Sequence, residues 1–599
     1  MKHAIVLLAV LLSIASNAMA QKTVILDAMK DELTRSMQQL KLEGEAGPYY
    51  VSYLITDTYG LRITADSGAI TANSENRNRT LKVDLRVGSY AQDNSNFLSL
   101  SNVAGLLNTL TSSNIRLPLD DDYDVLRRQI WQATDRAYKN ALETLTKKKA
   151  SLQNTVQTEA LPDFVKGSAI SSIAKENSFV VQRAQWDQRV DQIAKLFLRQ
   201  QSIQKSRVEL SIQISNSYYV NSEGATGIEP SSSAKLTLAA TTQAEDGMPL
   251  ANYRIYTAVR PEDLPEPAKV ENDAKNLISE LLAIRTAPLA DEYSGPVLFM
   301  GEAAGELFSQ GFSNLLAGTK LPLSDSPQAS AMLSRTMENP FLSKLNMKVA
   351  ANFLSFKAVP TMKSYNQKPL LGAYGIDDEG VPSRDVNLIE NGMLRSLLSS
   401  RAPVKGVDQS NGHARGGGVS PSVIQIASEN KKSYQQLKQD LINAAKEEGL
   451  AFGYIIRGLT PASDALSSDA DAVESILQLQ QAPPEPTQFR LAKPYSVLRV
   501  YPDGREEQVR GIEFGIISIN ALKNILATSD DETVYAYPVG SINPLAGLSG
   551  IIIRLASSGL PVQGSFATVI TPSLLINGID MKKSTGNYPK LPIVSYPIK

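Results

Sequence analysis

No cysteine occurs in the 599 residues, and histidine occurs only twice, as His3 and His413. The first absence removes disulfides, lipid attachment through an N-terminal cysteine and thiolate metal ligands together. The second leaves little for a conventional zinc site, which is built from Cys, His and carboxylates, usually with more than one Cys or His. Charge imbalance is missing as well. The formal net charge is −1, which argues against nucleic acid as the main partner, because such partners select a basic face. Long apolar runs are also lacking. Beyond the N-terminus no stretch approaches the roughly 18 apolar residues of a membrane-spanning helix.

What is present describes an ordinary globular protein: 42% apolar and 20% charged residues, in a chain long enough for two to four domains. The N-terminus stands apart. Lys2 precedes an apolar run over 4–14, and Ala18 and Ala20 satisfy the small-residue cleavage rule. This pattern predicts a signal peptide over 1–20, cleaved after Ala20, and a periplasmic or secreted protein with no membrane span in the mature chain. Cleavage would remove His3 and leave His413 as the one histidine.

The remaining chain begins as a helix packed on an antiparallel meander, and its C-terminal half is rich in expected strands. Expected bounds are 21–118 for an N-terminal α+β region, 119–294 for a middle region of helices and strands, and 295–599 for the C-terminal domain. Apolar residues at spacings of three and four (Ile25, Met29, Leu33, Met37, Leu40) predict a helix over 24–42. Alternating runs at 49–56, 61–65, 69–73 and 81–87 predict short strands, with Asp66-Ser67-Gly68 as a turn. Helices are expected over 121–149, 184–199 and 268–284, and strands over 207–215, 217–221 and 234–242. Acids at 120–122 and lysines at 147–149 complement the dipole of the first of these helices. Further strands are expected over 346–356, 371–376, 385–390, 394–399, 451–457, 495–500, 508–514 and 535–538, and helices over 433–448 and 521–528. The Ser-, Asp-, Gln- and Pro-rich residues 461–488 read as an exposed insertion, with at most one helix over 472–479.

One stretch organises the rest. Residues 295–320 read GPVLFMGEAAGELFSQGFSNLLAGTK, a short apolar strand feeding a helix expected over 302–316. The positions able to carry chemistry are Ser309, Gln310 and Asn314, none a strong metal ligand, base or nucleophile alone. A nucleophilic Ser309 with His413 as base lacks the G-x-S-x-G elbow. Asp377-Asp378-Glu379 followed by Gly380 could hold a hard cation, but reads more simply as a turn. The glycines at 416–418 lack the following helix of a phosphate cradle. His413 has two readings. It is a lone acid/base or peptide-contact residue, with Asn411 and Arg415 beside it, or a hydrogen-bonded histidine shaping the loop at 412–418; the second is preferred.

Several segments in order carry a resemblance. They are Gly295-Pro-Val-Leu-Phe with Ala303-Ala-Gly-Glu-Leu, Ile376-Asp-Asp-Glu-Gly-Val-Pro, Leu388-Ile-Glu-Asn-Gly-Met-Leu and Ser410-Asn-Gly-His-Ala-Arg. Asn221-Ser-Glu-Gly and Val509-Arg-Gly add to them. Together they resemble the TldD/PmbA family, known as metallopeptidases or modulators of DNA gyrase. Active members carry His-Glu-x-x-x-His on this helix and a later Cys; His and Cys hold zinc, and Glu polarises water. Alignment on Ala303-Ala304 places Ser309, Gln310 and Asn314 at the His, Glu and His positions, and the Cys position near Leu459.

The resemblance therefore implies a member of the zinc-free type (PmbA, also called TldE), with no cofactor of its own. It also implies an α+β architecture, with N-terminal helices on a curved antiparallel sheet and a larger β-rich C-terminal domain, an enclosed cleft for an extended or unfolded peptide, and a homodimer or a heterodimer with a zinc-bearing homologue. The leading expectation is a non-catalytic peptide-binding subunit. The alternatives are a metallopeptidase with a non-standard site recruiting Glu302 or Glu306, and a structural envelope protein.

Overall fold

The computed structural model describes residues 23–99, 115–153, 161–326, 338–461, 485–539 and 565–584, with individual residues in 328–334 and 586–594. The expected signal peptide and most of the 461–488 insertion, with its expected helix, lie outside the described residues.

The N-terminal half is a seven-stranded sheet covered by helices on one face. Its long strands are β1 (Tyr50–Asp66), β2 (Ala69–Arg86), β3 (Lys205–Asn221), β4 (Thr226–Gln243) and β5 (Pro249–Ala258), antiparallel in the order β2-β1-β3-β4-β5. The expected turn holds, with Ser67 and Gly68 at φ 51° and 92°. The runs at 49–56 and 61–65 are one strand. Asp57 and Gly60 stay paired to both neighbours, and Asp57 lies 2.7 Å from the fully buried Arg79. The same continuity merges the two runs of β2 and the two of β3. β5 has no counterpart among the expected strands.

Among the described residues, four helices cover the sheet: α1 (Val24–Gln39), α2 (Tyr123–Leu152), α3 (Arg183–Lys195) and α4 (Pro267–Thr286). Each starts within two residues of its expected position. Thr23 caps α1 by accepting from the Leu26 N–H, and Asp122 caps α2 by accepting from Val125. Strand alternation decides which face they bury. Val51, Tyr53 and Ile55 of β1 pack with α1 and α2, while Tyr59, Leu61 and Ile63 pack with α3 and α4. All are odd-numbered, so all four helices lie on one face. On β4, Ala234, Leu236 and Leu238 turn to that face, which leaves Lys235 and Thr237 on the opposite side.

The C-terminal half is a twelve-stranded mixed sheet. Its main strands are β6 (Tyr293–Phe299), β7 (Leu354–Ala358), β8 (Val386–Glu390), β9 (Val423–Ser428), β10 (Gly453–Leu459), β11 (Pro494–Val500), β12 (Glu506–Val509), β13 (Ile525–Val539) and β14 (Ser565–Lys583). The path runs β8-β7-β9-β14-β6-β10-β11-β12, and β13 pairs with β14. The Gly295-Pro296 step lies inside β6. Helix α6 (Tyr434–Glu447) follows a Ser433–Gln436 capping box.

Several local expectations fail for identifiable reasons. The helix over 521–528 is a 3₁₀ turn, Ile519–Asn524, because Ile525 already pairs with Ile576 in β13–β14. The strand over 346–356 shrinks to β7. Residues 371–376 form turns, with Gly372 at φ 86° and no room for a Cβ against the Phe566 carbonyl. Of 394–399, only Leu394 is in a strand. The strand over 508–514 divides at Gly511, which has φ 75°. No expected strand corresponds to β14, although it is the longest strand described.

Candidate functional site

β6 runs through the middle of the C-terminal sheet, between β14 and the parallel β10. Hydrogen bonds at its end set the direction of the next segment. The Met300 N–H donates to the Ile456 carbonyl, and the Gly301 N–H donates to Ser573 Oγ. The chain then enters α5 (Glu302–Leu307). Ala303 and Ala304 are completely buried, and a Cβ on Gly305 would sit 2.5 Å from Tyr535. Small residues therefore let this helix lie directly on the sheet.

A regular helix to Leu316 was expected. Instead, Phe308–Phe312 form a π turn, and Ser313–Leu316 a 3₁₀ turn. The Ser313 N–H reaches back to the Phe308 carbonyl. The wider turn lets both phenylalanines enter the core: Phe308 against Phe356 and Tyr537, and Phe312 edge-on to Phe489. Gly311 admits the Phe489 ring, which a Cβ would meet at 2.5 Å. π turns recur at functional sites, and this one holds the positions picked out from the sequence.

Ser309 and Gln310 line a cleft between this segment and the face of the N-terminal sheet opposite α1–α4. Lys235 of β4 and Ile255 and Thr257 of β5 form the opposite wall. A second lobe, sharing Glu306 and Tyr535, adds Tyr253, Glu302, Leu459 and Tyr495. Ser309 Oγ donates to the Glu306 carbonyl at 3.1 Å and to its carboxylate at 3.2 Å. Gln310 Nε2 donates to Glu306 Oε2 at 2.8 Å, and its Oε1 accepts from the Ala492 N–H at 2.9 Å. The Tyr535 hydroxyl donates to Glu306 Oε1.

Electrostatics follow from this packing. Burial pushes the Glu306 carboxyl up, while hydrogen bonds from Tyr535, Gln310 and Ser309 and the charge of Lys235 pull it back. Burial pushes Lys235 down, opposed by Glu209 and Glu306. Glu302 keeps an exposed edge. The protein mass around it still raises its carboxyl, Arg254 opposes that, and Glu306 adds to it.

The other sequence candidates are placed elsewhere. Asn314 is exposed and does not line the cleft. His413 is completely buried. Its Nδ1 lies 3.1 Å from the Asn411 carbonyl and 3.0 Å from Asn411 Oδ1, and burial lowers its pKa to about 4. Asn411 Nδ2 donates to the Leu397 carbonyl. Arg415 lies over the Tyr374 ring and donates to the Gly372 and Phe566 carbonyls. Asp377 accepts from the Glu379, Val381 and Ala414 N–H groups, the geometry of a turn. Sequence reasoning did not find Lys235, Tyr253, Tyr495 or Tyr535 at the site. They arrive from strands far along the chain, and no local spacing marks them.

Residues 292–472 match the PmbA/TldA metallopeptidase C-terminal domain. This span holds most of the segments that carry the resemblance to the TldD/PmbA family. Three solved structures share its α+β fold. A proposed modulator of DNA gyrase from Thermotoga maritima is 15% identical, with a TM-score of 0.56, over 92% of this chain and 99% of that one. A second, from Bacteroides thetaiotaomicron, is 13% identical with a TM-score of 0.55, over 92% and 98%. TldE from Thermococcus kodakarensis is 14% identical with a TM-score of 0.52, over 93% and 100%. No curated protein sequence matches the chain.

The zinc that the TldD/PmbA family implies does not fit the donors here. Ser309 and both ends of the Gln310 amide are committed to Glu306 and Ala492. Asn314 faces away into solvent. Among the described residues, no three His, Cys, Asp or Glu side chains lie together as a metal would need. Among those residues too, no helix is long and apolar enough to cross a membrane.

Proposed function

We propose that this TldD/PmbA chain is a zinc-less, exported subunit that binds unfolded or extended peptides without hydrolysing them. It would do so as a homodimer or beside a zinc-bearing homologue. The observation that carries the reading is the Gln310 amide. It stands where the resemblance places the catalytic Glu, and it bridges Glu306 to the Ala492 N–H. An amide cannot accept the proton that a metallopeptidase takes from water. Beside it, β5 forms an edge of the N-terminal sheet, and an extended peptide can add to such an edge through backbone hydrogen bonds. The N-terminal pattern supports export, which Gln21 as the first residue of protein recovered from a periplasmic fraction would establish. Native mass spectrometry reads the assembly state.

Elemental analysis of the purified mature protein tests the central point. The expected result is no stoichiometric metal and no cleavage of an unfolded substrate. One zinc per chain, with cleavage abolished by a chelator, would overturn it. A second reading, a working hydrolase with a non-standard site, draws on the raised carboxyls of Glu302 and Glu306, since perturbed acids in a cleft mark functional sites. Cleavage that Glu306→Gln abolishes would favour it.

A further inference from the structure

The second lobe of the cleft has a chemistry that capture of a peptide backbone alone does not require. It encloses about 520 Å³ of atom-free space, including its open mouth. Two of its walls are tyrosine rings, Tyr253 and Tyr495, with centroids 5.3 Å apart. Tyr495 lies so close to the backbone at Gly458 that a Cβ there would come within 2.2 Å of the ring. Only glycine at that position lets the ring border the cavity.

The charges in this lobe do not balance. Glu306 is satisfied by Tyr535 and Gln310, and Lys235 of the adjoining lobe offsets its charge. Glu302 is different. Among the described residues its carboxylate accepts no hydrogen bond and forms no ion pair. The cation that acts on it, Arg254, is held by Glu280 through two contacts of 2.7 Å. An exposed carboxylate without a direct partner among the described residues therefore lines the same lobe as two tyrosine rings. Tyrosine faces attract a cation within about 6 Å, and a carboxylate adds a charge-assisted hydrogen bond. A neutral or anionic group would gain neither.

The geometry points to this lobe as a receptor for an organic cation carried by a peptide, with the ammonium or guanidinium group held between Glu302 and the Tyr253–Tyr495 pair. The cation is either a Lys or Arg side chain or the peptide's own N-terminal ammonium. This assignment rests on the peptide-binding reading and adds a selectivity to it. No bond is made or broken.

The test uses the mature protein and four matched unstructured peptides, with a free or acetylated N-terminus and with lysine or norleucine at one internal position. Binding is read by fluorescence anisotropy. Peptides bearing the recognised cation should bind about tenfold more tightly than the neutral one, roughly one charge-assisted contact. The acetyl and norleucine arms tell which source of cation is read. Glu302→Gln, at an exposed edge, should remove the preference while leaving thermal unfolding unchanged, and Tyr495→Leu should reduce it. Equal binding of all four peptides, or a preference that survives Glu302→Gln, overturns the assignment. If no peptide binds, the peptide-binding reading fails by itself. Butylammonium and butylguanidinium then probe the lobe directly. Binding weakened by Glu302→Gln upholds the cation site, and no binding rejects it.

Discussion

Replacing His413 by glutamine should flatten the pH dependence of stability in weakly acid solution. The imidazole is completely buried, with Nδ1 beside Asn411 and Nε2 3.4 Å from Ser422 Oγ. Burial holds its folded pKa at about 4, against 6.5 for the free group. As pH falls below 6.5 the unfolded chain takes up a proton here, and the folded chain does not until about pH 4. The wild type therefore loses stability across that window. Linkage gives a loss of about 2 kcal/mol between pH 7 and pH 4.5 from this group alone. Asp377 and Glu379 act in the opposite sense. Burial raises both carboxyls, so their contribution falls as pH rises; they are present in both proteins and cancel in the comparison. Urea unfolding of wild type and His413→Gln at the two pH values gives the double difference. Equal pH slopes would refute a neutral, buried His413.

Four further substitutions, at three places in the fold, extend the tests. Arg401 and Glu223 form a buried pair 2.6 Å apart, so Arg401→Met or Glu223→Gln alone should cost about 3–5 kcal/mol in urea unfolding; the double variant should lose clearly less than the sum, and simple additivity would deny the coupling. Gly305→Ala places a methyl 2.5 Å from Tyr535, which should cost about 1–3 kcal/mol and lower the melting temperature; an unchanged melting temperature would contradict the close packing of α5. Gln310→Glu sets a second carboxylate against Glu306. This should destabilise the protein by about 1–3 kcal/mol at neutral pH, and the loss should recover as pH falls and the pair takes up a proton. No peptide hydrolysis should appear, and a gain of cleavage would count against the reading of a degenerate site.

The parts of this fold legible in the sequence are those with strong local patterns. The α1 periodicity, the acid-capped start of α2 and the Ser67–Gly68 turn are each fixed by residues within a few positions. Strand lengths are not legible. Asp57 looks like a break in an apolar run, yet its pairing with the buried Arg79, far along β2, keeps the strand intact. β14 is not apparent because burial on both faces removes the polar alternation that marks a half-exposed strand. The π turn at Phe308–Phe312 answers to core partners contributed by distant strands, Phe356, Phe489 and Tyr537. For the site, the sequence showed which helix carries the candidate positions and the four-residue spacing of Glu302 and Glu306. It could not show the wall contributed by β4 and β5, because that wall exists only once the two halves of the chain are packed together.

The most direct test of the central claim is one titration of a labelled unfolded polypeptide with the mature protein. Anisotropy is read first, and the polypeptide's intact mass is read at the end. Saturable binding, no loss of intact mass and no change on adding a chelator are expected. Cleavage products that a chelator prevents would contradict it.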